Sequence, residues 1–378
     1  MANSLNTGRF GEVAETIKGK KPNQFVDYAE KSEPYLTADV LRGETKEPSY
    51  VSLSDNDKCV VVEPNESVIL WDGAGAGDVF PGRRGILAST MAKVVIKDPS
   101  ALLNQYLLLC LQFLETEIKA SCRGTTVPHV SPQALSALPI PLFEIREQRR
   151  IVDLVFSVDS YIDALQQQVD VAREARNAVL HELLSAGGDG WTETTLNLIS
   201  HNLNSRRIPI TKSDRIAGQY PYYGASGIVD YVDDYIFDER TLLISEDGAN
   251  LLARSTPIAF GADGKYWVNN HAHVLMFDAP STQTYVELYL NSIRIDEWVT
   301  GAAQPKLNQK SLNEIPIQLP PLDGQKRIVD IVSSMDDVIQ STEQTVAAAK
   351  SLRSGLLSAL LSGEHEIPES YDQFVGAA

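Results

Sequence analysis

The sequence predicts an α+β chain: two similar mixed α/β blocks separated by two long antiparallel coiled-coil helices, the whole forming a pseudo-twofold internal repeat. Three observations predict it. Segment Leu138–Ala186 reappears 177 residues later as Ile315–Gly363 without a gap, with 20 of 49 positions identical, where chance gives about three. The repeated segments carry apolar residues at heptad spacing, and the segments before them carry short β-rich runs. A chain of 378 residues also exceeds the usual size of one domain.

The divisions follow from this repeat: block one over 1–143, a first helix over 144–190, block two over 191–320, a second helix over 321–363 and a tail over 364–378. The first seam runs Ile151, Val155, Val158, Ile162, Leu165, Val169, Ala172, Val179 and Leu183, with Arg176 at the missing position. The second runs Ile328, Val332, Met335, Ile339, Thr342, Val346, Ala349, Arg353, Leu356 and Leu360, so even the intruding arginine recurs. Pro141, and Pro320 with Pro321, mark the starts; Gly187-Gly188 and Gly363 mark the ends. About 40 residues at a rise of about 1.5 Å make a rod of about 60 Å. Its single apolar stripe needs a partner, which the other copy supplies.

In block one, strands are expected near Cys59–Val62, Val68–Trp71 and Ala92–Ile96, then a helix near Ala101–Lys119. Block two repeats this order, with strands near Ile228–Val232, Thr241–Ser245, Ile258–Phe260 and His273–Phe277 and a helix near Thr284–Asp296. Asp72-Gly73-Ala74 and Asp247-Gly248-Ala249 each follow an apolar run. Gln219 to Gly227 reads as an aromatic, small-residue turn.

Cys59, Cys110 and Cys122 cannot frame a disulfide scaffold and read as reduced thiols of a cytoplasmic protein. The first twenty residues hold no signal-peptide core, and the longest apolar stretch, Tyr106 to Leu114, is half of what a spanning helix needs; no membrane partner is expected. The net charge of −17 is unfavourable for phosphate binding, but the two helical segments with the tail, 144–190 and 321–378, hold −9 of it.

Catalytic patterns fail. Asp72 to Gly77 has the glycine density of a nucleotide loop, yet Asp78-Val79-Phe80-Pro81 follows it where a helix should stand, and no phosphate-binding G-x-x-x-x-G-K-[ST] or methyltransferase Asn-Pro-Pro-Tyr occurs. His271 and His273 have no third metal ligand nearby in sequence and read as core or surface histidines. Nucleic-acid chemistry is better represented. Lys20 and Lys21, and Arg206 and Arg207, sit early in their blocks as candidate phosphate contacts. Arg83, Arg84, Arg123, Thr125, Arg254, Gln304 and Lys306 lie in loop-type segments, and Tyr222, Tyr223 and Ser226 can stack on or probe bases. A DNA-free coiled-coil adaptor and a self-sufficient DNA-modifying enzyme remain alternatives at this point.

The duplicated Leu138-Pro-Ile-Pro-Leu…Glu147-Gln-Arg-Arg-Ile-Val and Ile315-Pro-Ile-Gln-Leu…Gly324-Gln-Lys-Arg-Ile-Val resemble the specificity subunit of type I restriction-modification systems. Tyr220-Pro-Tyr-Tyr-Gly-Ala-Ser-Gly-Ile-Val, Asp247-Gly-Ala and Val268-Asn-Asn-His resemble that family's target-recognition domains. Block one matches less well, with Ser89-Thr90-Met91-Ala92 standing where block two has Val268-Asn269-Asn270-His271. The resemblance implies a non-catalytic subunit that reads a bipartite, asymmetric site on double-stranded DNA. Two methyltransferase (modification) subunits would methylate adenine N6 with S-adenosylmethionine, and restriction/translocase subunits would use ATP and Mg2+, no cofactor binding to this chain. Their docking surface would include Gln148, Arg150, Asp153, Gln325, Arg327 and Asp330.

Overall fold

The computed structural model describes residues 6–373 apart from residues 30, 46, 53–57, 125 and 302. Thr125, a candidate contact, lies outside the described residues. The chain forms two compact units: residues 1–165 with 345–378, and residues 166–344. The division falls inside both long helices, so each unit contains one α/β block and half of each helix, where the sequence reading set the helices apart as segments of their own.

Unit one opens with the strand Thr7–Arg9, antiparallel to Pro139–Pro141. Its first sheet has the order Ala14–Lys18, Met91–Ile96, Ser67–Leu70, Val79–Pro81, all antiparallel. Its second has the order Tyr50–Ser52, Ser32–Leu36, Gly85–Leu87, Val61–Val62, with the middle pair parallel. Ser67–Leu70 is buried throughout, and its side chains alternate between two cores. Ile69 meets the helix Asn104–Phe113, while Val68 and Leu70 join Leu36, Val62 and Leu87. A strand covered on both faces must read as an unbroken apolar run. The same logic makes Tyr106–Leu111 of the helix Asn104–Phe113 an unbroken apolar, buried run; a second helix, Glu115–Ala120, follows it.

Unit two has the same plan. The strand Thr192–Thr195 pairs antiparallel with Pro316–Leu319. One sheet has the order His201–Asn202, Ala272–Met276, Thr241–Ser245, Ala259–Ala262, and the other Gly227–Val232, Ala217–Gly224, Lys265–Val268, Phe237–Asp238. Leu242 and Ile244 face the helix Pro280–Ser292, and Leu243 faces Phe237, Tyr266 and Val274. The two helices are anchored alike: Tyr106 Oη donates to the Pro141 carbonyl (3.0 Å) and Tyr285 Oη to the Gln318 carbonyl (2.5 Å).

Strand register corrects two expectations. The segment read as a turn over Gln219–Gly227 is mostly the strand Ala217–Gly224; the turn is Ala225-Ser226 alone, closed by the Gly224–Gly227 pair, and Gly227 takes φ +113°. Leu36 pairs with Leu87 as Tyr223 pairs with Val268, and the Trp71 and Glu246 amides donate to the carbonyls of Thr90 and His271. Leu87–Thr90, not Ser89–Ala92, therefore stands where Val268–His271 stands.

The long helices span Ile145–Ser185 and Leu322–Leu361. In unit one, Ile151, Val152 and Val155 share a core with Leu357, Leu360 and Leu361, and Asp159 pairs with Arg353. In unit two, Arg173 pairs with Glu343 and Arg176 with Asp336. Within each unit the numbers rise along one helix as they fall along the other, so the helices run antiparallel. The seam departs from a strict heptad near the C-terminal ends, where Leu180 and Leu357 are buried in place of Val179 and Leu356; an α-helix drifts against a seven-residue repeat.

Candidate nucleic-acid interface

In unit two the strand Thr241–Ser245 runs out into Glu246-Asp247-Gly248. Gly248, at φ +111°, donates its amide to the Pro305 carbonyl (3.0 Å), and Leu307 donates to Glu246 (2.8 Å). This straps the loop 300–307 to the sheet corner, and Thr300 and Lys306 close it by exchanging backbone bonds. Unit one builds the same corner from Trp71-Asp72-Gly73 and the loop 123–130: Gly73 donates to Pro128 (2.9 Å), Val130 to Trp71 (2.9 Å), and Arg123 and His129 exchange bonds. Gly124 and Gly301 hold the loops in positive φ, where a Cβ would strike the Val127 or Gln304 carbonyl at 2.4 or 2.5 Å. Arg123 thus stands where Thr300 stands and Lys306 where His129 stands, facing positions of one repeated loop.

Charge at the two corners is balanced differently. Lys18 pairs with Asp72 at 2.6 Å. In unit two, Glu246 accepts from Arg207 (2.6 Å), has Lys306 at 3.3 Å and His273 Nδ1 at 3.7 Å, and Asp247 meets His271 at 2.8 Å. Burial raises the Glu246 pKa, but the Arg207 hydrogen bond and the surrounding cations outweigh it and hold the carboxyl below its ordinary value. Burial lowers the His273 pKa; its ring is fixed between the Leu307 carbonyl on Nε2 (2.7 Å) and the Asn204 amide on Nδ1 (2.9 Å). His273 is a satisfied core residue, whereas His271 is exposed at the corner. The hairpin tip bearing Ser226 is pinned beside it by the Ser245 hydroxyl, which donates to the Ala225 carbonyl. Ser226, His271, Gln304 and Lys306 therefore come together at the corner and its adjoining loop and hairpin tip, all exposed. Sequence alone places His271 in a candidate metal pair and in the Val268-Asn-Asn-His motif, but not among the candidate DNA contacts.

Several candidates are corrected. Tyr222 is fully buried, its hydroxyl bonded to the Ile210 backbone and its ring under Arg215, so it cannot stack on a base. Tyr223 is half-buried against Phe260 and Tyr266. Arg254 donates to the carbonyls of Leu290 (2.7 Å) and Ile293 (2.6 Å) and caps the helix Pro280–Ser292. Arg207 is spent on Glu246 and the Ala272 carbonyl. Arg206 lies over the Phe237 ring and pairs with Glu239, and Arg84 is held by Glu33 and Glu63. Among the described residues, Lys20, Lys21, Arg83 and Arg123 are exposed with no carboxylate within 4 Å.

The proposed docking residues divide likewise. Gln148 is buried: its Oε1 accepts from the Leu103 amide (2.9 Å) and its Nε2 donates to the carbonyls of Ala101 (2.9 Å) and Phe143 (2.8 Å). Gln325 does the equivalent work with Thr282 and Pro320. Arg150 is buried under Asp372, and Asp153 accepts from Tyr371 Oη. Gln148 and Gln325 recur because each fastens its block to its helix, whereas Arg150 and Asp153 hold the tail; none of the four is a free surface. Arg327 and Asp330 are exposed.

Comparison with known proteins places this architecture. The family model described as "Type I restriction modification DNA specificity domain" matches residues 4–171 and again 188–350, and the chain belongs to that family. The type I restriction enzyme MjaVIII specificity subunit of Methanocaldococcus jannaschii is 24% identical, the match covering 94% of this chain and 92% of that protein. The crystal structure of a type I restriction-modification S subunit from M. genitalium shares the fold with a TM-score of 0.59 at 17% identity, covering 96% and 97% of the two chains. A chain from a study of assembly and conformational transition of the type I R-M system aligns with a TM-score of 0.57 at 15% identity, covering 94% and 97%. Among the described residues no helix is long and apolar enough to cross a membrane.

Proposed function

We propose that this chain is the DNA-reading, non-catalytic subunit of a type I restriction-modification complex, each block reading one half of a bipartite, asymmetric site. The observation that carries this reading is one strand order written twice with different side chains around a shared aspartate: Thr90, Arg123 and His129 beside Asp72 in one block, His271, Thr300 and Lys306 beside Asp247 in the other. A shared scaffold with unlike contact groups suits two unlike half-sites. The long helices set the number of base pairs between the half-sites. Two methyltransferase subunits with S-adenosylmethionine carry out adenine N6 methylation, and restriction subunits with ATP and Mg2+ carry out translocation and cleavage.

Methylated adenines mapped by single-molecule sequencing in cells with and without this gene test the reading. A bipartite motif should appear only with the gene. Exchanging residues 191–314 for the matching block of a related chain should change one half of the motif and keep the other. A motif changed in both halves, or no dependence on the gene, overturns the reading.

A further inference from the structure

Strand register makes Pro34-Tyr35 of block one equivalent to Pro221-Tyr222 of block two, and Ser49-Tyr50 equivalent to Asp230-Tyr231. In block two this place is filled from within. The Arg215 guanidinium lies 4.5 Å from the centre of the Tyr222 ring and donates to Asp230 at 3.1 Å. In block one no cation takes that position among the described residues. Phe25 meets the Tyr35 ring edge-on at 5.2 Å, Tyr28 meets Tyr50 at 5.1 Å, and Val26 is bridged to the Tyr50 backbone. Beside these rings opens a groove of about 490 Å³ lined by Phe25, Asp27, Tyr28, Glu47 and Tyr50. Tyr28 is 76% exposed and Phe25 49%. Among the described residues Asp27 and Glu47 have no cation within 4 Å.

Aromatic faces beside two carboxylates attract a cation that can shed part of its water, and guanidinium does so more readily than ammonium. They repel a phosphate backbone. We propose that this groove of block one, beside the place where Phe25 covers Tyr35 as Arg215 covers Tyr222, is a docking site for an arginine side chain of a protein partner. The proposal rests on the functional reading above for its partner, the methyltransferase subunit, while the groove's chemistry can be tested without it.

Two experiments separate the parts. Full-length chain titrated with arginine amide, followed by NMR, should show saturable shifts confined to Phe25, Tyr28 and Tyr50, with citrulline amide, neutral and of similar shape, binding at least tenfold more weakly. The double variant Asp27→Asn/Glu47→Gln should abolish the difference. Equal response to both amides, or none, overturns the site. In the second, Tyr28→p-benzoylphenylalanine in the complex assembled on DNA should photocrosslink to an arginine-bearing peptide of a methyltransferase subunit, and the double variant should weaken assembly about tenfold. A crosslink to DNA, or wild-type assembly by the double variant, overturns the partner assignment. Failure of unaltered chain to assemble at all counts against the functional reading, and the amide titration still decides the groove.

Discussion

At the scale of single residues, six groups that resemble DNA contacts in sequence serve the fold: Arg84, Arg206, Arg207, Tyr222, Tyr223 and Arg254. Arg254 is the clearest case: at φ +54° it turns back so that one guanidinium nitrogen bonds the last carbonyls of the helix Pro280–Ser292. Hydrogen bonds from charged donors contribute about 1.5–3 kcal/mol, so Arg254→Gln should lower urea stability by about 2 kcal/mol. Half-site specificity of the assembled complex should stay unchanged. His273 makes a pH prediction. Its Nδ1 accepts from Asn204, so the folded ring is neutral and its pKa lies below the unfolded value. As pH falls through about 6.5 the unfolded chain takes up a proton that the fold excludes, and stability is lost. Glu246, whose folded pKa is depressed, adds stability above its unfolded pKa that disappears only at more acid pH. Melting temperature of unit two should therefore drop between pH 7 and 5, and His273→Gln should flatten that part of the curve. Residue type and loop position made these groups visible in sequence. Their actual partners, such as the Leu290, Ile293 and Leu307 carbonyls and the Arg207–Glu246 pair, are distant in sequence and were not.

At the scale of elements, the long helices were legible because their period is local, and the recurring arginine at an apolar seam position gains its explanation from the pairing. Arg176 meets Asp336 and Arg353 meets Asp159; both members of one pair lie 177 residues from the corresponding members of the other. A polar residue at a seam position with a single matching partner fixes register at some expense of stability. Arg353→Asp should destabilise unit one by about 1 kcal/mol, the scale of a partly exposed ion pair. Adding Asp159→Arg should recover most of that loss in chemical denaturation, and equal stability of single and double variants would remove the pairing from the account. The tail was not legible in this way. Residues 369–373 form a short 3-10 helix whose Asp372 is held at a pKa of about 2 by its hydrogen bond to Arg150, and no periodicity announces a segment anchored by one aspartate and one tyrosine.

At the scale of the molecule, the duplication was legible in the helices and less so in the blocks, for a physical reason. Block two turns its hairpin in two residues, Ala225-Ser226, while block one spends 37–49 on the same connection and inserts the helix Ala38–Arg42. Surface loops accept such insertions at little entropic cost. Pro34-Tyr35 therefore lies 187 residues from Pro221-Tyr222 while the helices repeat at 177, and comparison at one offset passes over it. Under the proposed function, a chain of net charge −17 has to meet DNA through cations that its own acids leave free. Among the described residues Arg206, Arg207, Arg215, Arg294 and Lys306 of block two pair with its own acids and Lys212 and Lys310 do not, while block one presents Lys20, Lys21, Arg83 and Arg123 without carboxylate partners. Each phosphate neutralised contributes about −0.9 to the slope of log affinity against log salt. Lys20→Ala/Lys21→Ala in the assembled complex should make that slope shallower by about 2 and weaken binding to all sequences alike. Arg206→Ala, removing a cation already paired with Glu239, should leave the slope within about 0.5 of wild type. A change of equal size in both variants would mean that pairing within the chain does not decide which cations reach the phosphates.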